Sequence, residues 1–315
     1  MINFRYHVVS LAAVFLALAI GLVVGTAAAN GPLTENLNDQ VTKLTDDKQQ
    51  LRDDLEQSRA ELKKNADFAN EVAPMLLTGK LTGKNVLLIR LDGSDASDVG
   101  TAADGVGTML GTAGAKVVGT VTVKEKFTAP ASNSLLLDLA ETSAPPSISG
   151  ALPTRADGVE TTAALLAAVL VGRAGTPQVE GARTVLSAYE AQGFVGLDGD
   201  FKVPAEAVII LAGAPASGKD AKDRNTAALT LTSRFDLAGR VVVAGLTAGG
   251  LVSSVRGDAS IAKSVSTVDN AVTAYGQVAA VMALVERIGG KTGHYGIGDG
   301  ASSLLPKTAS VTNGS

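Results

Sequence analysis

The stretch Gly213-Ala-Pro-Ala-Ser-Gly218-Lys219-Asp220 has the residue types of a phosphate-gripping loop. It follows the apolar run 207–212, precedes a helix-forming segment and carries G-x-x-x-x-G-K. In such loops backbone amides cradle phosphate and the Lys reaches the terminal phosphates. The next position should supply a Ser or Thr hydroxyl to Mg²⁺, but here it is Asp220. A carboxylate repels phosphate, so a surface loop without nucleotide chemistry is expected. Asp92, Asp95 and Asp98 form a second constellation, after the apolar run 85–91. Ligands of open α/β sheets bind beyond strand ends, and three carboxylates there suit a hard cation. The same residues form turns and cap helices, and that reading is the one adopted. The only histidines are His7 and His294, there is no Cys, and Met1, Met75, Met109 and Met282 are scattered. No Ser-His-Asp set, zinc site or soft-metal site can be assembled from them. The chain is expected to be no enzyme and to hold no cofactor or metal.

Composition narrows the function further. The 315 residues carry a net charge of -4, so no basic excess marks the chain for nucleic acid. Without Cys, disulfides are excluded.

Residues 8–29 contain no charge and are dominated by Val, Leu, Ala and Ile. That is helix enough to cross a hydrocarbon core of about 30 Å. Arg5 and His7 precede the run, and the first charges after it are Glu35 and Asp39. This asymmetry predicts an uncleaved single-pass anchor over residues 1–30, with a cytoplasmic N-terminus and the bulk of the chain outside. A cleaved signal peptide would have a shorter apolar core and a more basic start. Gly21 and Gly25 make a G-x-x-x-G pair of the kind that lets anchors approach closely.

Residues 33–72 turn polar and carry a heptad pattern. Leu37, Leu44, Leu51, Ser58 and Asn65 occupy d; Val41, Lys48, Leu55, Leu62 and Ala69 occupy a. Such a seam predicts a coiled coil, with Lys48 setting register or oligomer state and the seam loosening toward Asn65. Leu37, Val41, Leu44, Lys48, Leu51, Leu55 and Leu62 are therefore the candidate partner-binding residues. The partner is a second copy, making a homo-oligomer, or another coiled-coil protein. Pro74 is expected to end this helix.

Residues 81–288 read as alternating strands and helices. Strands are expected at 85–91, 116–123, 207–212, 240–245 and 264–268, the last of these closing the sheet. Helices are expected at 98–112, 135–141, 159–171, 178–192, 221–237 and 271–288. The fold class is α/β: a transmembrane helix, a coiled-coil stalk, then a largely parallel sheet flanked by helices. Residues 289–315, rich in Gly and Ser, are expected to be a mobile tail.

The strings FRYHVVSLAAVFLALAIGLVVG, STVDNAVTAYGQVAAVMAL and GHYGIG, together with the heptads between, resemble the MctB (mycobacterial copper transport protein B) family. Its corynebacterial relatives include SteB-like proteins. The resemblance implies two different roles. One is an outer-membrane channel for copper efflux. The other is a membrane-anchored scaffold in cell separation, working with a SteA-like membrane protein and a peptidoglycan hydrolase. The chain lacks the amphipathic strands of a transmembrane barrel and is poor in copper-binding side chains. A coiled coil beside one anchor suits partner binding, so the scaffold is the preferred expectation and copper efflux the alternative.

Overall fold

The computed structural model describes residues 4–153, 157–172 and 177–307; the side chains of residues 28–38 lie outside that description, Leu37 among them. The chain divides into two units, Met1–Lys64 and Asn65–Ser315, which share helix α1 (Phe4–Leu77). The first unit holds the apolar stretch Phe4–Ala27, 24 residues with none of its span buried in the chain. It also holds Val41, Leu44, Lys48, Leu51, Leu55 and Leu62, all exposed.

The second unit begins inside α1. Pro74 does not end this helix, which continues to Leu77. A proline near a helix C-terminus removes a single bond, and burial of Ala73 and Leu77 outweighs that loss. The core therefore recruits residues ahead of the expected boundary at 81.

The α/β unit then runs β1 (Asn85–Leu91), α2 (Ala96–Thr112), β2 (Lys116–Val123), the short turn α3 (Glu125–Thr128) and α4 (Asn133–Ser143). The single turn α5 (Pro146–Ser149), α6 (Gly158–Leu170), α7 (Ala182–Ala191), β3 (Val195–Asp198) and β4 (Ala207–Ala212) follow. The remainder is α8 (Ala221–Ala238), β5 (Arg240–Gly245), α9 (Gly250–Gly257), β6 (Ser266–Val268), α10 (Ala274–Ile288) and β7 (His294–Tyr295). The short elements β3, α3, α5, α9 and β7, none longer than eight residues, are not among the expected ones. The segment after Gly289, expected to be a tail, contributes β7, and Pro306 within it is buried.

The sheet order is β3-β2-β1-β4-β5-β6-β7, parallel throughout except for β3 at one edge. Alternate residues of β1, β4 and β5 serve two cores. Leu87, Ile89, Val208, Ile210, Val241 and Val243 face α4, α6, α8 and α9. Val86, Leu88, Ile209, Leu211 and Val242 face α2, α10 and the end of α1. Strands buried on both faces need unbroken apolar runs, and NVLLIRL, AVIILA and RVVVAG supply them.

The crossovers do not all share one hand. From β1 to β2 the chain moves one way across the sheet, with α2 on the second face; from β4 to β5 it moves the other way, with α8 on the first. Those two units have the same hand. From β6 to β7 the chain moves as from β4 to β5, yet α10 lies on the second face. This crossover therefore has the opposite hand to the others, an uncommon arrangement in parallel sheets. Its benefit is cover: α8 and α9 both lie on the first face, so α10 alone among them shields the second face of β5 and β6. A two-residue β7 contributes few ladder bonds, and side chains must hold it.

Candidate functional site

The switch of direction between β1 and β4 opens a crevice beyond their carboxyl ends, the usual place for a ligand in a doubly wound sheet. The crevice encloses about 100 Å³ and is lined by the 91–95 turn, Glu125, Thr128, the 213–217 loop, Arg224, Asn225 and Leu251. Chain-internal bonds shape it. Asp95 Oδ2 accepts the Ala214 amide at 2.7 Å, and Asn225 Oδ1 accepts the Ala216 amide at 2.9 Å. Gly213 is required here, since a Cβ would run into the Asp95 carboxylate. Two amides that a phosphate-binding loop would aim at its ligand are thus occupied by the protein's own side chains, and Lys219 is exposed.

Two of the carboxylates around the crevice are paired with cations, while Asp95 is held by the Ala214 amide alone. Lys124 Nζ lies 3.1 Å from Asp92 Oδ2, and Arg224 Nη2 lies 3.3 Å from Glu125 Oε1. Asp98 sits apart, exposed in the first turn of α2. The aspartates 92, 95 and 98 therefore do not converge on a cation. Among the described residues no three or more His, Cys, Asp or Glu side chains are grouped to hold a metal. The crevice offers hydroxyls, backbone groups and largely paired charge, which suit binding of a small polar molecule.

The second polar centre lies at the same edge of the sheet, after β6. Asp269 is fully buried and Arg256 nearly so, with Arg256 Nη2 to Asp269 Oδ2 at 3.1 Å. Arg256 also donates to Thr267 Oγ1, the Tyr295 carbonyl and the Asp299 carbonyl. Asp269 accepts from the Asn270 amide group, the Ile297 amide and the Gly298 amide. Every lobe of the carboxylate is used, as a buried charge requires. Gly296, at φ +127, leaves the space the carboxylate fills, and Gly298 allows close approach to Ala248. The strings STVDN and GHYGIG, separate in sequence, are thus two halves of one lock that fastens β7. Tyr295 OH adds a short bond to Glu286 on α10; burial and then this carboxylate push its pKa up. Sequence reasoning quotes both strings but assigns Asp269 and Arg256 no role. The available signal was an Asp directly after a short strand segment, with the closely spaced Gly293, Gly296 and Gly298 further along the chain.

His294 joins the same network. Arg256 Nε donates to Thr267 Oγ1, which leaves the Thr267 hydroxyl proton for His294 Nδ1 at 2.9 Å. The neutral imidazole fits this arrangement. Burial, then the Arg256 charge, hold His294 below its ordinary 6.5, against a smaller opposing pull from the Ala262 backbone. The unfolded state then binds the proton more readily than the folded one. The His294 contribution is complete above about pH 6.5 and is lost as the pH falls through the lowered native value. Melting temperatures recorded from pH 7.5 downward should fall more steeply for the native chain than for His294→Gln.

The candidate partner-binding residues lie on α1, in the first unit. At about 100° per residue, Val41, Leu44, Lys48, Leu51, Leu55 and Leu62 fall within an arc of roughly 80°. Leu37 lies among the undescribed side chains.

A family model described as "Copper transport outer membrane protein, MctB" matches residues 1–306. The chain belongs to the MctB family. The copper transporter MctB of Mycobacterium tuberculosis is 32% identical over 324 residues, covering 96% of this chain and 99% of that protein. The copper transporter MctB of Mycobacterium leprae is 33% identical over 320 residues, with the same coverage. The match to MctB thus spans the apolar stretch, the rest of α1 and the α/β unit together. These relatives are named for copper transport, which favours the alternative in the sequence-based expectation over the cell-separation scaffold.

Proposed function

We propose that this chain takes part in copper transport at the cell envelope. Phe4–Ala27 would fix it in a membrane, with the N-terminus cytoplasmic and the α/β unit on the far side. The observation that carries the reading is the family match over residues 1–306, together with relatives named copper transporters. Arg5 at the start of the apolar stretch and acidic residues after it support the orientation. An outer membrane, the location in the family's description, is the alternative site.

The donor chemistry argues that copper is cargo rather than a resident ion. Copper(I) prefers thiolate and thioether ligands, and the chain has no Cys and four Met. Met109 and Met282 are buried in the second core, and Met75 is exposed on α1. The α/β sheet is open and helix-covered, so it encloses no channel. A single helical span cannot surround a path either. A route for copper therefore requires several anchors together or a partner in the membrane. Gly21 and Gly25, with open space beside each, suit close packing of such anchors.

Cells lacking the chain should accumulate copper when grown with excess metal, as measured by elemental mass spectrometry. The full chain should restore the normal level, and a chain without residues 4–27 should not. Unchanged cell copper in the deletion would refute the reading. Copper titration of the purified protein should show no tight stoichiometric site.

A further inference from the structure

We infer that the stalk pairs with a second copy of this chain, parallel and in register, through residues 41–62. The inference is independent of copper transport. It starts from the two positions that flank the seam. With Val41, Lys48, Leu55 and Leu62 at a, the g positions are Gln40, Asp47, Asp54 and Glu61. The e positions are Thr45, Arg52, Arg59 and Ala66. Acid therefore lies along one flank and base along the other.

Parallel and antiparallel pairing read these flanks in opposite ways. In a parallel dimer, g of one helix meets the e five residues later on its partner. Asp47 then meets Arg52 of the second copy, and Asp54 meets Arg59, twice over by symmetry. Glu61 meets the uncharged Ala66. In an antiparallel dimer g meets g and e meets e, which sets acid against acid and base against base. The charge pattern thus selects one orientation and selects the chain itself as partner.

Three further observations agree. First, the flanking charges have no partner in their own helix: among the described residues Asp47, Arg52, Asp54 and Arg59 make no ion pair, although the α/β unit contains seven. Second, the seam is bare, with Val41, Leu44, Leu51, Leu55 and Leu62 each half or more exposed. In the first heptad, Val41 at a with Leu44 at d is the combination that favours two strands. Third, Lys48 at a is tolerable only beside an acid, and in a parallel pair Asp47 of the second copy borders its position. The apolar stretch Phe4–Ala27 adds a constraint of its own, since copies inserted in one membrane the same way present their stalks in parallel.

The absence of Cys allows a direct test on the full chain in its membrane. Ser58 occupies d and should face its counterpart; Ala60 occupies f, on the outside of a pair. Membranes bearing Ser58→Cys, treated with a short bifunctional maleimide, should yield a covalent dimer, and Ala60→Cys should not. Adding Asp47→Arg with Asp54→Arg to Ser58→Cys sets base against base and should lower the dimer yield roughly tenfold or more, four attractive contacts having become repulsive. Arg52→Asp with Arg59→Asp should do the same. Co-expression of the two charge variants should restore crosslinking between differently tagged chains, which shows that neither variant has merely lost its helix.

The inference is overturned if Ser58→Cys stays monomeric, or if it links instead to a protein of different mass. It is also overturned if Ala60→Cys links equally well, or if the charge variants crosslink undiminished.

Discussion

Replacing Asp269 with Ala should destabilise the α/β unit by about 3–5 kcal/mol, the cost of leaving a buried charge without its partner. Arg256 would keep its hydrogen bonds to Thr267 and two carbonyls but lose the carboxylate that neutralises it. The Ile297 and Gly298 amides would lose their acceptor at the same time. Asp269→Asn should also be damaging. It keeps the shape but replaces one acceptor oxygen with a donor, in a site where every neighbour donates. Against a typical stability of about 5–15 kcal/mol, this is a large fraction. Urea titration followed by far-ultraviolet circular dichroism should show the midpoint falling with an unchanged slope. Limited proteolysis should cut first near residues 293–300, where β7 loses its fastening. A shift below about 1 kcal/mol would mean that the ladder, not the lock, holds this edge.

Removing residues 4–27 should move the protein completely from the membrane fraction to the soluble one. An apolar helix of this length is effectively irreversible in a bilayer, so the expected change is nearly all or none. The α/β unit should melt at the same temperature, because none of the removed span is buried in the chain. With the anchor intact, a tag after Ser315 should be cleaved by protease added outside spheroplasts. Protection of that tag would reverse the proposed orientation. Retention of the truncated chain in membranes would place the attachment elsewhere.

Much of the architecture is legible in the residues because local physics decides it. The apolar stretch announces itself by length and absence of charge. NVLLIRL, AVIILA and RVVVAG coincide with β1, β4 and β5 because strands buried on two faces must be largely apolar, and the β-branched KVVGTVTV coincides with β2. The apolar segment at 159–171 emerges as α6, with Asp157 capping its start through the Glu160 amide. The heptad stripe and its charged flanks are likewise written in the chain, since helix geometry alone places them on one side.

What the residues could not decide is anything set by partners distant in sequence. Asp95 reads as a turn former; only the fold brings the Ala214 amide to it and so fills the loop that resembles a phosphate site. Pro74 reads as a stop, but burial of Leu77 carries the helix past it. The tail after Gly289 reads as loose because Gly and Ser have no local preference for order. Its residues 293–299 are held by Asp269 and Arg256, which lie well upstream of β7, and by a crossover whose hand opposes that of its neighbours. Two-residue strands, crossover hand and buried ion pairs depend on contacts that form only when the chain has closed on itself. The sequence alone determined where the apolar helix, the stripe and the main strands lie; only the tertiary structure decided which polar residues meet.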